Sequence, residues 1–307
     1  MKQNLVRTLV ATCLALVLNA CASVRSVTPW PQENVPSPSS EKASRNGGDD
    51  SDAASERRLS RERERLARER ENLLRERAEL RAKLRATPIG ARTGSKASAP
   101  IRDAALRDRG LRVVVSTEER ALWLMRDATV IDVFPIAVGM HQPFTWAGKT
   151  YDFKTPHSRR KVLAKGLNPI WVPPDWHYFE KAAADHLTPV HLKVGDVVRL
   201  QDSTRIEVRG DQVGRVNLFG NWWPFTPGSE IIFDNKIFIP PIGTAQRKVP
   251  DILGTHKLEI GEGYLIHGTN QDTSVGEAVS HGCVRMFNED VARLYSTVPV
   301  GTPVYIF

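Results

Sequence analysis

The chain has 307 residues, 25% of them charged and 41% hydrophobic, with a formal net charge of +8. That length allows one large domain or two small ones, and a core of about 200 residues buries ample apolar surface without disulfide staples. Residues 56–86 carry twelve Lys/Arg against seven Glu, a surplus of five, so the basic bias is mostly local. No domain-wide basic face with interleaved aromatics is visible, which argues against a nucleic-acid partner and leaves anionic lipid or polymer, or plain solvation.

Met1 to Ala20 holds Lys2 and Arg7, then the apolar run Leu9 to Leu18, too short to span a bilayer comfortably and ending in small residues. This reads as a secretory signal over residues 1–20. Leu18-Asn19-Ala20-Cys21 resembles a bacterial lipobox, with Cys21 as the lipidated first residue of the mature protein; the alternative is ordinary cleavage near Ala20 or Ala22. Ala22 and Ser23 follow rather than Asp, which by analogy with Gram-negative lipoproteins implies the periplasmic side of the outer membrane.

Residues 21–55 are rich in Pro, Ser, Asp, Gly and Asn, cannot bury enough apolar surface to fold, and are expected to be a disordered linker. Glu56 to Ala86 has no Gly or Pro and is dense in Arg, Glu and Leu, which predicts a charged helix about 46 Å long at 1.5 Å per residue. Glu64/Arg68, Glu71/Arg75 and Glu79/Lys83 are favourable i,i+4 pairs. Leu59, Leu66, Leu73 and Leu80 repeat every seven residues, but a coiled coil needs a second apolar position per heptad, and Arg63, Arg70 and Arg77 or Glu62, Glu69 and Glu76 stand there. The expectation is a solvated single helix, with self-association through 56–86 as the alternative. Thr87-Pro88 ends it, and 87–109 is expected to be a second linker.

From Leu111 the pattern turns to strands: Leu111 to Val115, Arg120 to Met125 and Thr129 to Phe134, broken by Glu118-Glu119 and Arg126-Asp127. Trp176 to His186 reads as a short helix. Val197 to Leu200, Arg205 to Val208, Gly214 to Phe219 and Ile231 to Phe233 read as strands of an insertion at about 175–250. Asn221-Trp222-Trp223-Pro224-Phe225 reads as an aromatic plug over the core; a platform for sugar rings or a peptide stem is the functional alternative. Near the end, Asn288-Glu289-Asp290 opens a helix with apolar face Val291, Leu294, Tyr295 and Val298, and Val304 to Phe307 is a last strand.

The chemistry concentrates in two blocks, His267-Gly268-Thr269-Asn270 and Ser280-His281-Gly282-Cys283-Val284-Arg285-Met286. Tyr264-Leu265-Ile266 reads as a buried strand delivering His267, and the polar segment Gln271 to Val279 as a loop. A strand, a loop and a return place imidazole and thiol side by side. Cys283 is a nucleophile only as a thiolate and needs a base or a depressed pKa. Gly282 lets backbone approach a reacting carbonyl, so neighbouring N–H groups could hold an oxyanion. The alternative is a buried small hydrophobe beside an unrelated histidine. The chain has three cysteines, Cys13, Cys21 and Cys283, and a free thiol is a liability in an oxidising compartment, which favours a working Cys283. Arg285 could bind a substrate carboxylate as a fork, or be a surface charge.

The two blocks closely resemble the signature of the L,D-transpeptidase (YkuD-type) catalytic domains of bacterial cell-wall enzymes, and the resemblance runs from about Leu111 to Phe307. Thr155-Pro156, Asn168 to Pro174 and Val249 to His256 resemble further family segments, although Ser158 stands where the family usually has Gly. The resemblance implies a mainly β fold: a β-sandwich over 110–307 with a short helix after the cysteine and a β-rich insertion. It implies acyl transfer through a Cys283 thioester, with His267 as base and the Gly268 carbonyl orienting it. Gly282 and Cys283 would supply oxyanion donors, Ser280 and His281 would shape the loop, and Arg285 and Asn270 would bind substrate. The implied substrate is the tetrapeptide stem of peptidoglycan, with another stem, a wall-attached protein or water as acceptor; no cofactor is implied. The rival readings are a cysteine hydrolase of the same fold, a zinc peptidase using His267, His281 and Cys283, and a non-enzymatic lipoprotein that binds cell wall. The zinc reading lacks any His-x-His, Cys-x-x-Cys or His-Glu-x-x-His companion.

Overall fold

In the computed structural model, residues 48–91 and 98–307 are described. Cys21 and the lipobox-like segment lie outside them. Helix α1 spans Gly48–Ala86 and α2 Ala99–Arg107. Strands follow as β1 Leu111–Ser116, β2 Ala121–Arg126, β3 Thr129–Pro135, β4 Val138–Gly139, β5 Phe144–Trp146, β6 Lys149–Tyr151, β7 Ser158–Lys161 and β8 Ala164–Leu167. Helix α3, Asp175–Ala184, leads into β9 Thr188–His191, β10 Val197–Arg199, β11 Arg205–Arg209, β12 Gln212–Val216, β13 Trp222–Pro224, β14 Ile231–Phe233 and β15 Lys236–Ile239. The chain closes with β16 His256–Glu259, β17 Leu265–His267, β18 Ala278–Ser280, β19 Val284–Arg285, α4 Asn288–Thr297 and β20 Pro303–Ile306. The fold is mainly β, as the sequence leads one to expect.

Two linker expectations need correction. Helix α1 starts at Gly48, inside the expected linker 21–55. Within the expected linker 87–109, α2 forms with a Pro in its first turn, where the missing N–H costs nothing, and with Ala105 buried.

The chain divides into two units, residues 1–64 and 65–307. In the first, the described residues are the opening of α1, and the side chains described there are exposed, Leu59 among them. The second unit is a sandwich. One sheet has the order β3-β2-β1-β20-β7, with β1 and β20 parallel. The other has the order β19-β17-β16-β8. Strand alternation sorts side chains between the two faces of the first sheet. Val113, Val115, Leu122, Leu124, Val304 and Ile306 point inward, against Leu258, Ile266, Val284 and the α4 residues Val291, Leu294 and Val298. Val114, Trp123, Met125, Val133, Tyr305 and Phe307 point outward and are covered by Leu80 and Leu84 of α1 and by Ile101, Ala104 and Ala105 of α2. Arg112 is fully buried on that outer side, and its guanidinium is satisfied by the carbonyls of Ala105, Gly110 and Asp127.

The end of α1 is thus a covering element rather than a solvated rod. Leu80 of the heptad row is spent on the sheet, while Leu66 and Leu73 stay 51% and 39% exposed. Its arginines pair with the sandwich: Arg77 with Asp272 and Glu289, Arg81 with the buried Asp290, and Arg85 with Asp132. Arg77 also lies over the Phe287 ring.

The insertion is α3 with two small sheets, β14-β15-β9 and β10-β11-β12-β13. Its entry and exit are tied together where Trp171 and Val249 exchange backbone hydrogen bonds of 3.0 and 2.8 Å. The aromatic patch is not a plug over the sandwich core. Trp222 and Trp223 form β13 in the insertion's own sheet, Trp222 close against Gly214, while Phe225 packs in the insertion core. Trp223 is half exposed.

Candidate active site

Strand β17 ends at His267, and β19 begins one residue after Cys283. The two run parallel, with Ile266 opposite Val284 and His267 opposite Arg285. Ile266 and Val284 are buried in the sandwich core. By alternation Leu265, His267, Cys283 and Arg285 face the other side together. The expected juxtaposition of imidazole and thiol is therefore a consequence of strand register. Cys283 is half-buried and unbridged.

His267 is buried, and its Nδ1 lies 2.5 Å from the carbonyl oxygen of Gly268. A carbonyl only accepts, so Nδ1 carries the proton and Nε2 keeps its lone pair. Burial pushes the ring's pKa down to about 4 despite the Gly268 and Leu253 carbonyls, which favour the charged form; the Arg285 cation pushes it further down. Burial pushes the Cys283 thiol up, while the Leu265 N–H and Arg285 pull it down. The resting site is accordingly a neutral imidazole beside a protonated thiol, not a preformed ion pair. Among the described residues no hydrogen bond joins the two groups.

The close backbone packing behind His267 requires glycine. A Cβ on Gly268 would lie 2.2 Å from Asn288 Oδ1, and one on Gly254 would lie 2.5 Å from the Thr269 nitrogen. Asn288 stitches the region by accepting from the Thr255 N–H and donating to the Thr269 carbonyl.

The turn carrying Cys283 is braced from three directions. Ser280 Oγ donates to the Cys283 carbonyl at 2.5 Å and accepts from the Gly282 N–H at 3.2 Å. Thr155 Oγ1 donates to the Gly282 carbonyl at 3.0 Å and accepts from the Gly139 N–H at 2.7 Å. His281 Nε2–H donates to Glu180 Oε2 at 2.8 Å. Gly282 has φ +112, and a Cβ there would sit 2.8 Å from the Tyr264 ring. Of the two expected oxyanion donors, the Gly282 N–H is committed to Ser280. The Cys283 N–H has no partner among the described residues.

Arg285 lies on the face it shares with both reacting groups, and among the described residues no carboxylate pairs with it. Asn270 is exposed and lines a cavity of about 300 Å³ with Asn168, Asp251, Thr255 and Asn288; Cys283 is not part of that wall. His281 is held by Glu180, and among the described residues no group of three His, Cys, Asp or Glu is placed to hold a metal ion. Reasoning from sequence missed Glu180 and the bracing role of Thr155, although Thr155-Pro156 stood out as a motif.

The family model described as the L,D-transpeptidase catalytic domain, YkuD, matches residues 110–306. A protein of Escherichia coli strain K12 named "Probable L,D-transpeptidase YbiS" is 54% identical over 81 residues, 26% of this chain and 26% of that protein. The E. coli K12 protein named "Probable L,D-transpeptidase ErfK/SrfK" is 46% identical over 54 residues, 18% of this chain and 17% of that protein. The match thus spans about a quarter or less of the length of these curated relatives. A solved L,D-transpeptidase from Xylanimonas cellulosilytica aligns over 69% of this chain and 70% of its own, at 14% identity and a TM-score of 0.34. With the family model covering nearly two thirds of the sequence, including both catalytic blocks, the chain belongs to the YkuD family of L,D-transpeptidase catalytic domains.

Proposed function

We propose that the protein is a peptidoglycan L,D-transpeptidase that cuts a tetrapeptide stem after its third residue and passes the acyl group to an amine. The observation that carries this reading is the register of β17 and β19, which puts His267 and Cys283 on one face, with His267 neutral and its Nδ1 on the Gly268 carbonyl so that Nε2 keeps its lone pair. Cys283 Sγ attacks the carbonyl carbon between stem residues three and four, and its proton passes to His267 Nε2. The new C–S bond gives a tetrahedral oxyanion, for which the Cys283 N–H is the available donor. Collapse breaks the C–N bond, and His267 returns the proton to the departing D-alanine amine. An acceptor amine then attacks the thioester, gives its proton to His267 and frees the thiol. The Gly268 carbonyl fixes the tautomer throughout, and the unpaired Arg285 offers a fork to a substrate carboxylate.

The test is incubation of the protein with purified disaccharide-tetrapeptides, followed by mass analysis. Cross-linked dimers with release of D-alanine are expected. Tripeptides without dimers assign the same thioester to water and make the protein a hydrolase, and unchanged substrate rejects the reading.

We further propose a periplasmic protein anchored through lipid on Cys21, in the outer membrane of a Gram-negative cell, with a wall-attached protein as an alternative acceptor and pairing through 56–86 left open to it. The support is the short apolar run ending at Leu18-Asn19-Ala20-Cys21. Replacing Cys21 by Ser should move the protein from the membrane to the soluble fraction. An unmodified mature N-terminus in the wild type would sink the anchor.

A further inference from the structure

The turn carrying Cys283 is bonded, through His281, to a residue 101 positions away in the sequence. His281, two residues before Cys283, is packed against two aromatic rings and a carboxylate. The Trp176 ring stacks on it with centroids 4.4 Å apart and planes at 21°. Phe153 meets it edge-on at 4.5 Å and 77°. Glu180 Oε2 lies 2.8 Å from Nε2. Trp176 and Glu180 are four residues apart on α3 and so share one face of that helix.

Helix α3 is itself anchored on its other sides. Arg247, 2% exposed, donates to Asp175 at 2.6 Å, to the Pro173 carbonyl at 2.7 Å and to the Pro240 carbonyl at 2.8 Å, and lies over the Tyr178 ring. His191 holds the other Asp175 oxygen at 3.0 Å, and Lys181 reaches Glu230 at 3.3 Å. Tyr178 and Ala182 bury the opposite face of α3 against Ile237 and Ile239 of β15. A rigid helix of the insertion thus presents two side chains that grip one residue of the catalytic turn.

Ser280 and Thr155 brace the backbone of the turn at Gly282 and Cys283, and the grip on His281 adds the contact from the insertion. Gly282 sits at φ +112, a backbone state that glycine enters and leaves freely, so nothing intrinsic to the residue holds it. The Cys283 thiol and N–H move with it. We propose that Glu180 is a positioning residue of the acyl-transfer reaction: by holding His281 against Trp176, it fixes the Ser280–Cys283 turn that carries the nucleophile. This rests on the reading of the reaction given above. The insertion then belongs to the active site through α3, not through its Trp222-Trp223 patch. Spacing in the sequence does not indicate the contact, because its two halves come from the insertion and from the signature block.

The experiment compares the full chain with Glu180→Ala and Glu180→Gln, reading kcat and KM on the disaccharide-tetrapeptide and, separately, the rate of iodoacetamide addition to the Cys283 peptide by mass spectrometry. Glu180→Ala should lower kcat roughly 10–100-fold with KM changed less than about 3-fold, because misplacing a reacting group by about 1 Å costs of that order. Glu180→Gln keeps an acceptor for Nε2–H and should restore kcat to within about 3-fold of the wild type. Iodoacetamide addition should quicken by about 3-fold or more in Glu180→Ala, as a loosened turn opens the half-buried thiol. Glu180 is a partly exposed side chain, so both variants are expected to fold; if Glu180→Ala does not, His281→Gln against His281→Ala repeats the comparison from the other partner. Unchanged kcat and alkylation in a folded Glu180→Ala would overturn the proposal, and so would a Glu180→Gln as impaired as Glu180→Ala. If the wild type leaves stem peptides untouched, the transpeptidase reading fails while the alkylation rates still decide the role of Glu180.

Discussion

At the scale of the residue, burial holds both His267 and Cys283 uncharged. A cysteine protease-like ion pair would place a thiolate beside an imidazolium at rest. Here burial lowers His267 to about 4 and raises the thiol, so both partners are neutral near pH 7. Two expectations follow. The acid limb of kcat/KM should turn near pH 4 rather than near the 6.5 of an ordinary histidine, because the free enzyme keeps its base down to that pH. His267→Ala should slow acylation about 10²–10⁴-fold, the usual worth of general-base assistance. A pH–rate profile from 3.5 to 9 (roughly the range bracketing the ordinary histidine and thiol values) checks the first, and an acid limb at about 6.5 would show that the working histidine is charged in the resting enzyme. The same shift affects stability. Between about 6.5 and about 4 the unfolded chain binds a proton at His267 that the folded chain refuses, so stability falls as pH drops through that window. The full loss is about 3 kcal/mol at 1.36 kcal/mol per pH unit, and it should be largely absent from the pH dependence of His267→Ala melting.

At the scale of the element, what the sequence disclosed and what it hid divide along contact range. The pairing of His267 with Cys283 was legible because the strand, the turn and the return all lie within one short stretch, and register does the rest. The first three strands were legible for the same reason, since each is a largely apolar run between turn residues. Thr155 and Glu180 were not, because their partners lie 127 and 101 residues away and neither residue type is unusual where it stands. Helix α1 was misjudged for a different reason. Its arginines look like a solvated face until the acids that receive them are placed, and those acids, Asp132, Asp272, Glu289 and Asp290, come from three separate elements. Asp290 is the informative one, being 1% exposed at the start of α4 and paired with Arg81, whose own pKa burial pulls down. Arg81→Ala would leave that carboxylate buried without its cation. The expected loss is about 3 kcal/mol, the lower end for unpairing a buried ion because Arg81 keeps some solvent contact. Chemical denaturation checks it, and a loss under about 1 kcal/mol would reduce the pair to the worth of a surface salt bridge.

At the scale of the whole molecule, the question is whether the insertion is a passenger or a part of the catalytic domain. Its sheets have their own core, built on Ile206, Val208, Val213, Ile231 and Phe238, which by itself would suit an independent unit. The boundary argues otherwise. Trp171 and Val249 close its two ends with an isolated bridge of two backbone bonds, so it leaves only by breaking that bridge. Arg247, just before the exit, is buried and bonded to the carbonyls of Pro173 at its entry and of Pro240 just after its last strand, which makes one side chain common to the two ends. Residues 65–307 should therefore unfold in one cooperative transition when followed by tryptophan fluorescence, since the tryptophans of that span lie in both the sandwich and the insertion. Arg247→Ala removes three hydrogen bonds at once and leaves the Pro173 and Pro240 carbonyls buried without donors. At about 1–3 kcal/mol for each unsatisfied buried group, it should lower the midpoint of that single transition by several degrees. Two separated transitions in the wild type, with only one of them moved by Arg247→Ala, would instead make the insertion a domain that folds alone, and the catalytic turn would have to keep its shape without it.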